Sequence, residues 1–104
     1  MELKEFMEIS MLLAYYQNLL SDRQKEYMIK HFELDYSLSE IAKEYKVSRQ
    51  AVYDNIRRGI SVLKDYEEKL GLYERDKNIV SQLKELRKNL STEKLDEIIA
   101  NMEC

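Results

Sequence analysis

The stretch Ser37-Leu-Ser-Glu-Ile-Ala-Lys-Glu-Tyr-Lys-Val-Ser-Arg-Gln-Ala-Val-Tyr-Asp-Asn-Ile-Arg-Arg58 decides how this chain folds. Its pattern predicts two short helices joined by a tight turn. Ser37 and Glu40 stand at the spacing of a capping box, in which two side chains reciprocally satisfy orphan backbone N–H groups. Ile41, Ala42 and Tyr45 recur at helical spacing and give the first helix an apolar face. The turn falls at residues 45–47, and Ser48 is placed to cap the second helix through its hydroxyl. Val52, Ile56, Ile60 and Leu63 then form a stripe spaced i, i+4, i+8, i+11. The opposite face carries Arg49, Gln50, Tyr53, Asp54, Arg57 and Arg58. A buried stripe, a polar outer face and a short helix in front make residues 37–58 a helix-turn-helix. Lys46 departs from the common pattern. It occupies a turn position often held by Gly, where a left-handed non-Gly residue costs about 1 kcal/mol.

Outward from the motif, the 104-residue chain has no Pro, two Gly and 36% charged residues. Few breakers, many charges and no period-2 alternation predict an all-α fold. A chain this short buries about 60–65% of its unfolded surface. Residues 3–20 are expected to form one helix, with Leu3, Phe6, Met7, Met11, Leu12, Tyr15, Tyr16, Leu19 and Leu20 in its apolar stripe. Glu2, Glu5 and Glu8 complement the dipole at its start. So wide a stripe fits either an internal core or a dimer contact. Ser21, with Gln24 three residues on, opens a helix over 22–32 with Tyr27, Met28 and Phe32 inward, Leu34 beside them. His31, at a helix end, receives no role. The motif's second helix continues through Leu63, Tyr66 and Leu70, with Gly59 inside it at a cost of about 1 kcal/mol and Gly71 as its stop. Beyond lie a helix with a short heptad-like seam at Ile79, Leu83, Leu86 and Leu90, and a last helix capped by Ser91 or Thr92. Leu95, Ile98, Ile99 and Met102 are its expected inward face. The domain reading is 1–70 as the helix-turn-helix domain and 71–104 as a C-terminal helical extension, a candidate dimerisation element.

No apolar run approaches the roughly 20 residues of a membrane helix. The acidic N-terminus lacks the layout of a secretory signal, so the expected location is the cytoplasm. One Cys (Cys104) and one His leave no internal disulfide, no zinc set and no expected cofactor. There is no nucleophile–base spacing and no phosphate-cradling glycine loop, so an enzyme is not expected. The net charge of −3 hides a division: −4 over residues 1–45, +4 over 46–64 and −3 over 65–104. The motif's second helix is a basic island in an acidic chain. Arg49 and Gln50 can reach base edges, Arg to guanine and Gln to adenine. Lys46, Arg57 and Arg58 can contact phosphates. Tyr53 suits a thymine methyl or the backbone. Asp54 repels phosphate unless it accepts from a cytosine amino group or pairs with Arg57 or Arg58. The candidate binding set is Lys46, Ser48, Arg49, Gln50, Tyr53, Asp54, Arg57 and Arg58, and the same face could serve a protein or a structured RNA.

Roughly residues 20–65 resemble region 4 of bacterial sigma factors, through Leu20-Ser-Asp-Arg-Gln24, Leu38-Ser-Glu-Ile-Ala42 and Val47-Ser-Arg-Gln-Ala-Val52. Nearly the whole chain resembles the YlxM family of small bacterial helix-turn-helix proteins. That match is carried by Tyr15-Tyr-Gln-Asn-Leu-Leu20, Ser37-Leu-Ser-Glu-Ile-Ala42 and above all Ser48-Arg-Gln-Ala-Val-Tyr-Asp-Asn-Ile-Arg-Arg58. After Gly71 the likeness is only that of charged helices. The resemblance implies a helical homodimer and a regulatory role in the signal recognition particle pathway, since family members are typically encoded beside the particle's GTPase. The expected partner is then the particle's GTPase or RNA, with sequence-specific DNA binding as the alternative.

Overall fold

A computed structural model describes residues 1–103; Cys104, the single cysteine of the chain, lies outside them. Among the described residues the chain forms six α-helices and no strand. They are α1 (Leu3–Tyr16), α2 (Asp22–Phe32), α3 (Leu38–Tyr45), α4 (Arg49–Leu70), α5 (Leu72–Lys88) and α6 (Thr92–Glu103). The chain divides into two compact units, Met1–Gly71 and the residues from Leu72 onward.

The start signals in the sequence act as expected. Ser21 accepts from the Gln24 N–H at 3.3 Å while Gln24 accepts from the Ser21 N–H at 3.2 Å. Ser37 and Glu40 make the same reciprocal pair at 3.1 and 3.0 Å. Ser48 accepts from the Ala51 N–H at 3.0 Å, which opens α4. Glu40 is held below the ordinary carboxylate range, first by the Ser37 backbone N–H and then by the Ser37 hydroxyl. A carboxylate with a lowered folded-state pKa stabilises above its unfolded value, and that contribution is lost as pH falls through the folded one. Acid titration of the wild type should therefore lose, below about pH 4.5, a pH-dependent contribution to stability that Glu40→Gln lacks. Parallel thermal melts between pH 6 and pH 3 measure the difference.

α3 ends on Lys46, which is left-handed at φ 57° and ψ 45°. The Val47 N–H reaches back to the Ala42 carbonyl at 3.0 Å and the Lys46 N–H to Lys43 at 3.4 Å. This double closure is a Schellman-type cap, and it holds a lysine where glycine would be unstrained. Lys46→Gly should raise stability by about 0.5–1 kcal/mol while weakening any anionic partner's binding. Thermal melts and binding titrations on the one variant separate the two effects.

α1 is shorter than its sequence pattern. It stops at Tyr16, a single 3-10 turn covers residues 17–19, and Lys25 donates to the Asn18 side chain at 2.9 Å across the corner. The inward face is also rotated from the expected one. Ile9, Leu12, Leu13 and Tyr16 are buried, while Leu3, Met7 and Met11 are exposed. These inward residues join Leu20, Tyr27, Met28, Phe32, Ile41, Ala42, Val52, Ile56 and Leu63 in the core of the first unit. α4 is the axis of that unit and packs against α1, α2 and α3. Gly59 permits the close approach to α2, because a Cβ there would overlap the Met28 sulfur. Near the far end of α4, the Tyr16 hydroxyl donates to Glu67 at 2.6 Å and the Tyr66 ring stacks on Tyr16.

The α2–α3 connection is tied down rather than open. Asp35 takes a left-handed φ of 61°, and the Tyr36 N–H donates to the Lys30 carbonyl at 2.9 Å. His31 Nδ1 lies 2.8 Å from the Tyr36 carbonyl. A carbonyl only accepts, so Nδ1 carries the proton. The ring also packs edge-on against Phe6 and Phe32. His31 is thus a structural clasp. Leu34, expected inward, is 55% exposed at the tip of this loop. Lys30 bridges α2 to α3 through Glu44 at 3.1 Å, and that hydrogen bond raises its pKa above the usual ammonium value.

In the second unit Ser91 is the residue that caps α6, accepting from the Lys94 N–H at 3.3 Å. Leu86 and Ile98 are buried, but Leu83, Leu90, Leu95, Ile99 and Met102 of the expected inward faces are exposed. Two helices alone cannot enclose both their apolar stripes.

Candidate nucleic-acid or partner interface

Burial of Val52, Ile56, Gly59 and Leu63 fixes the rotation of α4 about its axis. With about 100° per residue, the side chains opposite that stripe are Gln50, Asp54, Arg57 and Ser61, flanked by Arg49 and Tyr53 on one side and Arg58 on the other. All eight residues of the candidate set lie at the turn or on this outer surface; Asp54 is half-buried and the others are exposed. Two shallow depressions border the ridge. One is lined by Leu38, Arg49, Gln50 and Tyr53. The other is lined by Gln24, Asp54, Arg57, Arg58, Ser61 and Val62.

Within the face, the Ser48 oxygen is committed to the α4 cap, which leaves its O–H hydrogen to offer a partner. Tyr53 is 43% exposed, and the Arg57 guanidinium lies 5.9 Å from its ring centre, close enough to help hold both side chains in place. Asp54 makes neither of the expected ion pairs with Arg57 or Arg58. Instead it accepts from Gln50 Nε2 at 3.0 Å. The i, i+4 spacing brings that amide to the carboxylate, while both arginines are exposed. Their charge is therefore not neutralised internally. Asn55 points back to its own helix, donating to the Ala51 carbonyl at 3.3 Å.

Leu38, Gln24 and Ser61 also border the face, although the motif pattern does not single them out. Ser61 was accessible to sequence reasoning, since it stands four residues beyond Arg57 on the same helical row. Gln24 was not, because α2 reaches this edge only through tertiary packing.

A capped short helix, a left-handed turn and a longer second helix with a basic outer face define a helix-turn-helix protein. The chain belongs to the UPF0122 family, whose model, described as "Putative helix-turn-helix protein, YlxM / p13 like", matches residues 3–102. Among its relatives, a UPF0122 protein of Fusobacterium nucleatum is 54% identical over 98% of this chain and 99% of its own length. The UPF0122 protein YlxM of Bacillus subtilis is 44% identical over 100% of this chain and 96% of its own. One from Geobacillus kaustophilus is 51% identical over 80% and 78%. Among the described residues no helix is long and apolar enough to cross a membrane.

Proposed function

We propose that this protein is a regulatory helix-turn-helix factor of the signal recognition particle pathway, docking on a component of the particle through the outer face of α4 and acting as a homodimer. The single observation that carries the docking surface is the set of exposed cations Lys46, Arg49, Arg57 and Arg58, none of them held in an ion pair with another described residue, on a chain that is acidic elsewhere. Such a face fits an anionic partner, whose bound counterions it would displace. Of the particle's components, RNA meets that requirement most directly. The pathway assignment is supported by the family resemblance. The test is to add the protein to the particle's GTPase with and without its RNA. Co-purification with the particle and an altered rate of GTP hydrolysis are the expected results. Absence of both would sink the proposal.

A second reading is duplex DNA, in a sequence-specific transcriptional regulator. It is favoured by Arg49, Gln50 and Tyr53 standing in the first two turns of the longer helix, where a major-groove reader carries its base contacts.

A further inference from the structure

We propose that Asp54 is a positioning residue that sets the Gln50 amide for adenine in the major groove of duplex DNA, in preference to guanine. This inference rests on the DNA reading of the α4 face. Asp54 looks misplaced on a basic surface, since a carboxylate there repels phosphate. Its hydrogen bond gives it a use. An ionised carboxylate only accepts hydrogen bonds, so Gln50 must turn its Nε2 toward Asp54, as the 3.0 Å separation has it. That bond consumes one of the two Nε2 hydrogens. Gln50 is exposed, so Oε1 and the second hydrogen remain available to a partner.

An acceptor beside a donor is the complement of adenine's major-groove edge, where the N6 amino group donates and N7 accepts. Guanine offers O6 and N7, two acceptors, so Oε1 would meet the lone pairs of O6. A free glutamine escapes that clash by turning its amide over and offering N–H groups instead. Here the turned amide would set Oε1 against the Asp54 carboxylate. Asp54 therefore blocks the rotation that would admit guanine. Arg49 and Tyr53 line the depression beside the amide, within reach of a neighbouring base pair or phosphate. B-form DNA has a major groove wide enough for a helix, whereas that of an A-form RNA duplex is too deep and narrow for side chains to read.

The test selects ligands for the full chain from DNA duplexes with a randomised central segment at fixed low salt, with an RNA hairpin library in parallel. Wild type is expected to enrich adenine over guanine at one position by about 5- to 150-fold, the discrimination one good bidentate pair supplies. With the amide freed to turn over, Asp54→Ala should show an adenine preference several-fold below that of wild type. Gln50→Ala should lose the same preference. An adenine preference undiminished in Asp54→Ala overturns the proposal, as does a wild type that binds DNA without preference at any position. Binding to RNA but not to DNA overturns it too and leaves RNA as the partner. Failure with both libraries removes the nucleic-acid reading itself.

Discussion

Gly59→Ala should destabilise the protein by about 1–2 kcal/mol, although alanine is the better helix former by about 1 kcal/mol. The ordinary expectation for a glycine inside a 22-residue helix is the reverse. The difference lies in what faces it. Gly59 is buried on the side of α4 that meets α2, where Met28 is fully buried. A Cβ there would occupy the space of the Met28 sulfur. Met28 is flexible, but it is enclosed, so it can move only by displacing its neighbours or by opening the α2–α4 packing. Overpacking costs about 1–3 kcal/mol, and full overlap with an enclosed sulfur puts this case at about 2–3 kcal/mol, which outweighs the gain in propensity. The thermal midpoint should fall by about 4–16 °C, read by far-ultraviolet circular dichroism. Adding Met28→Ala should shrink the effect of Gly59→Ala, because the cavity accepts the new methyl. A Gly59→Ala variant as stable as wild type would show that this packing is looser than the geometry implies.

Arg49→Ala combined with Arg57→Ala should weaken nucleic-acid binding by about tenfold for each residue and leave the fold intact. Both side chains are exposed, and neither is held in an ion pair with another described residue. Within the protein, the double variant forgoes the weak cation–π interaction between Arg57 and Tyr53, worth about 0.5–1 kcal/mol at an exposed site. If both arginines neutralise phosphates, the plot of log K against log salt should flatten by about 0.9 per residue on duplex DNA, or about 0.7 on single strands. Titrations at several salt concentrations therefore report the number of phosphates engaged as well as the loss of affinity. Unchanged nucleic-acid binding together with an unchanged effect on GTP hydrolysis would make the basic face a solvated surface with no part in recognition. If the particle's GTPase is the partner instead, the variant should lose its effect on GTP hydrolysis with no change on nucleic acid.

Much of the fold was legible because its signals are local. Capping residues and a helical stripe act within four residues of one another, so Ser21, Ser37 and Ser48 mark the starts of α2, α3 and α4 without reference to the rest of the chain. The same holds for Gly71, whose φ of 61° ends α4. α1 shows where local reasoning stops. Leu3, Met7 and Met11 follow helical spacing as well as Ile9, Leu13 and Tyr16 do, and periodicity cannot choose between two apolar faces. The choice was made by α2 and α4, against which only one of them packs.

The candidate face divides along the same line. The sequence by itself determined the helix-turn-helix, the left-handed strain carried by Lys46 and the eight residues of the outer face, because all follow from spacing along one or two helices. Only the tertiary structure decided that Gly59 is a packing requirement, that His31 clasps the loop before the motif, and that Gln24 borders the basic surface. Each depends on which distant helix comes to lie alongside, a matter of shape that no short-range pattern contains. Asp54 falls between the two. Its partners at i±3 and i±4 can be enumerated from the sequence, but the choice of Gln50 over either arginine required side-chain geometry.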